Sequence, residues 1–164
     1  MNTFFSTTAL LTMLGISGFA HAAEPQDTLS RMASCQESWM DMRNDAVRGQ
    51  KFADVIQAHF VQDDRAPTWK PRQPMTWLGH PVIEITPQSI GMALGFAVTV
   101  KAVSDGVKPA YEKLVGQPLA NCEKSDGALT CDLQIAKQRT AMLMAPLTKP
   151  ERGTLLGCFY FYEK

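Results

Sequence analysis

The chain has 164 residues, with 16 Lys and Arg against 16 Asp and Glu, so its formal charge is zero, and 45% of it is hydrophobic. A neutral chain has no electrostatic footprint for nucleic acid or for an anionic bilayer, which sets both aside as partners. The apolar content is that of a globular chain with a true core, and the length suits one domain.

Residues 1–22 read as a secretory signal peptide. Ala9–Ala20 is an apolar run of twelve residues ending at Ala20-His21-Ala22, the small-x-small pattern a signal peptidase cuts after. Polar residues bound that run on both sides, and it falls short of the roughly 20 apolar residues a membrane span needs. Residues 23–164 are then expected as a single exported domain, periplasmic or secreted. In an oxidising compartment Cys35, Cys122, Cys131 and Cys158 are disulfide candidates before anything else.

Two helices are expected first. Asp27 or Thr28 can cap a helix on which Met32, Cys35, Trp39, Met42 and Ala46 recur at helical spacing, with Gly49 as its stop. A second helix, about Lys51–Val61, aligns Phe52, Val55, Ile56 and Phe60. Pro67, Pro71 and Pro74 then forbid regular structure, so Gln62–Met75 is expected as a long loop. Val82–Thr86, bounded by Pro81 and Pro87, reads as an edge strand. Gly95–Val103 follows as a strand, and Ser104 opens a helix that gathers Val107, Tyr111, Leu114 and Val115 on one face and stops at Gly116.

Four strands close the chain, about Leu119–Lys124, Leu129–Ile135, Arg139–Leu147 and Thr154–Glu163. Their connections are too short for parallel crossovers, so they form an antiparallel meander. Asp126-Gly127 is a strong hairpin signal because a type I′ turn needs positive φ at both central residues. With that pair as the turn, Cys122 faces Cys131 on a non-hydrogen-bonded pair, where Cα atoms come within about 4.5 Å and a bridge fits. Pairing Cys122 with Cys131 leaves Cys35 for Cys158, which ties the first helix across the last strand. The fold expected is α+β: N-terminal helices and one middle helix packed on an antiparallel sheet of five to six strands, stapled by two disulfides.

The chemistry-bearing motifs are few. The sequence holds no HExxH, CxxC, P-loop, GxGxxG or GxSxG. Nothing calls for a metal or a cofactor, and core packing accounts for Met32, Met42, Met142 and Met144 better than a thioether copper site does. His80 in Gly79-His80-Pro81 lies near Glu84 on an extended segment, which allows a His/Glu pair on one face for acid–base work. Against that stands the plain reading of His80 as a loop residue before a proline.

The segment from Asp63 to His80 is more informative. Trp69 and Trp77 are interleaved with Arg65, Lys70, Arg72 and three prolines, a composition that binding hot spots favour; Trp faces also suit sugar rings. The competing reading folds the tryptophans back onto the core, and it fits Trp77 better because an apolar stretch starts there. The function expected is non-catalytic binding of a protein partner or an envelope component, of the inhibitor or immunity kind, through Trp69, Arg65, Arg72 and Trp77. The alternative is a small hydrolase or hydrophobic-ligand carrier built on His80 and Glu84.

Overall fold

A computed structural model describes residues 23–87, 89–90 and 93–161. The expected leader, Met92 and Tyr162 lie outside the described residues. Three helices come first: α1 (Ala23–Ala33), α2 (Trp39–Asn44) and α3 (Ala46–His59). The single long helix expected over Met32–Ala46 is therefore broken twice: Met32 lies in α1, Trp39 and Met42 in α2, and Ala46 opens α3. Cys35 takes a left-handed φ of 64°, and the Glu37 N–H reaches back to the Arg31 carbonyl at 3.1 Å, which closes α1. Ser38 then starts α2 with a reciprocal cap: the Asp41 N–H donates to Ser38 Oγ and the Ser38 N–H to Asp41 Oδ2, both at 3.1 Å. Asp45 restarts the chain as α3 by accepting from the N–H groups of Val47 and Arg48. Gly49 is thus inside a helix rather than after one. A Cβ there would lie 2.6 Å from the Met42 carbonyl oxygen, so glycine permits α2 and α3 to touch.

The strands are β1 (Phe60–Gln62), β2 (Trp69–Pro71), β3 (Thr76–Trp77), β4 (His80–Thr86), β5 (Ser89–Ile90) and β6 (Ala93–Val100), then helix α4 (Ser104–Val115), then β7 (Asn121–Ser125), β8 (Ala128–Ala136), β9 (Arg139–Pro146) and β10 (Thr154–Tyr160). They form an antiparallel sheet in the order β1-β2-β4-β6-β10-β9-β8-β7, with β3 paired to β4 and β5 to β6. The fold is α+β, as expected. The sheet is wider than five or six strands because β1, β2, β3 and β5 are only two or three residues long, too short to leave a periodic pattern.

The structure departs from two further expectations. The segment Gln62–Met75 is not all loop: Trp69–Pro71 pairs as β2 with β1 and β4. And β4 is an interior strand, held by β2 and β6. Pro81 precedes the ladder to β6, which begins at Val82, and Pro87 follows its end, so neither removes a donor the ladder needs.

The meander β7–β8–β9–β10 follows the expected register, with Cys122 opposite Cys131 and Ser125 opposite Ala128. Asp126 and Gly127 have φ of 49° and 76°, as a type I′ turn requires. Both disulfides form as expected: Cys122–Cys131 with Cα atoms 4.0 Å apart and Cys35–Cys158 with Cα atoms 5.1 Å apart.

Register defines the two faces of the sheet. Ile85, Val98, Leu156, Leu143 and Cys131 stand in one row across five strands, and all are buried against the helices. At the centre of that core Tyr111 of α4 is fully buried, its hydroxyl 2.8 Å from the carbonyl oxygens of both Ala33 and Gly157. One phenol therefore links α1, α4 and β10. Thr130, Met144, Leu155 and Thr99 occupy the opposite row, outside the helical layer.

Candidate functional site

Trp69 sits opposite Ile85 in the pairing of β2 with β4, so its ring is on the helical face. There it meets α3. Gly49, Phe52, Ala53, Ile56 and Gln57 of that helix, all on one stripe, line an apolar groove of about 240 Å³. Trp39, Met42 and Arg43 of α2 form one side, and Trp69 with Pro87 forms the other. The floor is continuous with the core. The Trp39 ring packs edge-on to Phe52 at 5.8 Å, and Phe52 packs edge-on to Phe96 of β6 at 5.9 Å. Both Trp39 and Trp69 are half-buried, packed on the core at one edge and open at the other.

The residues after β2 form a ridge. Arg72 is anchored where α3 ends: its backbone N–H donates to the His59 carbonyl at 2.9 Å and its Nε to the Gln57 carbonyl at 3.2 Å. A guanidinium at that place meets the negative end of the helix dipole. At the other end of the ridge the Val82 N–H donates to the Met75 carbonyl. Arg72, Gln73 and Pro74 between these ties are exposed. Hollows of about 750 and 360 Å³ flank them, the larger against Gln26, Ala58 and His59 and the smaller against Lys70 and Ile83.

The sequence-derived site residues separate in space. Trp69 lines the groove, and Arg72 stands at the end of α3 beside Gln57. Arg65 lies in the turn after Asp63, whose Oδ1 accepts its backbone N–H, and it is not part of the groove. Trp77 is 3% exposed, with its indole N–H donating to Ser30 Oγ at 3.0 Å, so it is the core lid of the competing reading and presents no binding surface.

Lys70, pointing away from Trp69, pairs with Asp63 at 2.6 Å. Hydrogen bonding to that ammonium lowers the Asp63 pKa, and the carboxylate in turn raises that of Lys70. Register puts Glu84, opposite Thr99, on the same outer side as Lys70, where its charge adds a smaller raising effect.

His80 and Glu84 do not form a pair on one face. The ladder to β6 matches Val82 with Val100 but Glu84 with Thr99, so a bulge at Ile83 puts Val82 and Glu84 on opposite faces. His80 pairs with the inward Trp77 and its ring approaches Gly106 of α4, whereas Glu84 faces outward with Lys70. Among the described residues no group of three or more His, Cys, Asp and Glu could hold a metal ion, and no helix is long and apolar enough to cross a membrane.

Trp39, Phe52, Ile56 and Arg43 were not legible as site residues, because a helical stripe of apolar residues reads as core. The one available signal was that Trp39 is too large to be wholly buried at the edge of a short helix. No protein-family model, no characterised protein and no solved structure matches the chain.

Proposed function

We propose that the chain is an exported binding protein of the periplasm or the extracellular space, which captures a protein partner or an envelope component without catalysing a reaction on it. The observation that carries this reading is the groove between α2, α3 and β2. At about 240 Å³ it lies below the roughly 300–1,000 Å³ of pockets that enclose a small-molecule substrate, and it suits one large apolar side chain. Two half-buried tryptophans and an arginine at its rim are the residue types that dominate binding energy at protein interfaces. Two disulfides support export, since such bridges persist where the surroundings are oxidising.

The test is capture from an envelope extract by the immobilised protein, with partners identified by mass spectrometry. Ala53→Gln, which fills the groove while deleting no core contact, should abolish capture and leave the unfolding midpoint nearly unchanged. Trp69→Ala should do the same to capture at a modest cost in stability. Undiminished capture by both variants would remove the groove from the interface.

A further inference from the structure

The groove carries hydrogen-bond donors that the chain itself does not use. Trp39 and Arg43 lie four residues apart on α2, so they stand one turn apart on the same face, with Cβ atoms about 5–6 Å from one another. Arg43 is exposed, and the carboxylates beside it in sequence are committed elsewhere: Asp41 to Arg139 at 3.2 Å and Asp45 to Arg48 at 3.3 Å. Its guanidinium has no ion-pair or hydrogen-bond partner among the described residues. The indole N–H groups of Trp39 and Trp69 also donate to nothing among the described residues, yet both stay open to solvent. Against these donors the side chains of the lining offer one acceptor oxygen, in the amide of Gln57, and no carboxylate.

Resting on the binding role above, we propose that the groove captures the free C-terminus of a protein partner: the apolar side chain of its last residue seats between Trp39 and Trp69, and its α-carboxylate pairs with Arg43. A chain end is the one place in a polypeptide where an apolar side chain and a carboxylate hang from a single carbon. That matches a groove with room for one large side chain and a single guanidinium one helical turn from Trp39. A carboxylate only accepts, and guanidinium is the donor able to meet both of its oxygens at once. An internal segment fits less well, because it continues past the anchor with a further backbone N–H, and the side chains of the lining have little to accept it. A glycan is disfavoured on the same ground, since its hydroxyls need acceptors as well as donors.

The experiment is selection of random heptapeptides, displayed with a free C-terminus, on the intact protein, counter-selected on Ala53→Gln. The enriched sequences should converge on an aromatic or large aliphatic residue at the last position. A synthetic consensus peptide should bind about ten-fold or more weakly once its C-terminus is amidated, the range of a hydrogen bond to a charged group. Arg43→Gln should weaken the acid by a similar factor while binding the amide as the native protein does, which also shows that the variant is folded. Peptides whose apolar residue lies inside the chain, acid and amide forms that bind alike, or undiminished binding of the acid by Arg43→Gln would each overturn the chain-end reading. So would the absence of any enriched peptide while Ala53→Gln still abolishes capture from the envelope extract, and the binding role would then stand. If Ala53→Gln impairs neither peptide binding nor capture, both readings fall.

Discussion

Replacing Cys35 and Cys158 together with alanine should destabilise the protein far more than replacing Cys122 and Cys131, although each bridge anchors a strand of the same sheet. In the chain-entropy model a disulfide acts by restricting the unfolded chain, and the effect grows with the length it closes. The first bridge spans 123 residues and the second 9, which gives about 5 and about 2.6 kcal/mol respectively. Against a total stability of about 5–15 kcal/mol, the first loss leaves a marginal domain and the second a serviceable one. At about 2–4 °C per kcal/mol for a chain of this size, the two double variants should melt roughly 5–10 °C apart. Equilibrium urea unfolding followed by tryptophan fluorescence measures both, and m should rise in each variant as the unfolded chain expands. The Cys35–Cys158 junction has a second fastener, since Tyr111 links Ala33 to Gly157 one or two residues from each cysteine. Tyr111→Phe added to the Cys35/Cys158 variant should therefore be non-additive by about 0.5–3 kcal/mol. Equal destabilisation by the two disulfide deletions, or a larger effect of the short one, would refute the loop-length reasoning.

Burial pushes the Tyr111 phenol well above the ordinary tyrosine value of 10.0, so the folded protein keeps this proton where the unfolded chain releases it. Its contribution is complete below about pH 10 and should be lost above it at up to about 1.4 kcal/mol per pH unit, a slope that urea midpoints between pH 9 and 11 would show and that Tyr111→Phe should flatten. Ser38→Ala removes the reciprocal cap of α2 and should cost about 1 kcal/mol in the unfolding midpoint. Because Trp39 is the first residue of that helix, the same variant should shift native-state tryptophan emission; an unchanged spectrum would show that the cap does not hold the groove wall.

Much of the fold could be read locally. The hairpin at Asp126-Gly127, its disulfide and the extent of α4 are each encoded within about a dozen contiguous residues. What escaped was non-local or too short. The stripe Met32, Cys35, Trp39, Met42 keeps helical spacing across a break because the turn at Cys35 returns the chain to the same core. The markers of that break were the polar caps Ser38 and Asp45 rather than any loss of periodicity. The loop rich in proline and tryptophan was recognisable as unusual, yet its residues part company once folded: Trp77 turns inward, Trp69 faces α3, and Arg65 stays in an exposed turn. The groove itself joins residues near positions 39–57, 69 and 87, a proximity that exists only after β2 has paired with β4. Likewise, alternation along His80–Glu84 suggested one shared face, and a single bulged residue at Ile83 reversed it.

The position of β10 has a consequence for how the chain becomes a protein. It is the last strand described, yet it lies in the interior of the sheet, between β6 and β9. Among the described residues, the strands β1 to β6 and the strands β7 to β9 are hydrogen-bonded into one sheet only through it. A polypeptide emerging from its N-terminal end can form the early helices and the Asp126-Gly127 hairpin, but it holds two unjoined half-sheets until residue 160 has appeared. Long-range pairing of that kind makes for slow folding. If the chain is exported as proposed above, late closure of the sheet would suit a thread that must cross a narrow channel before it sets.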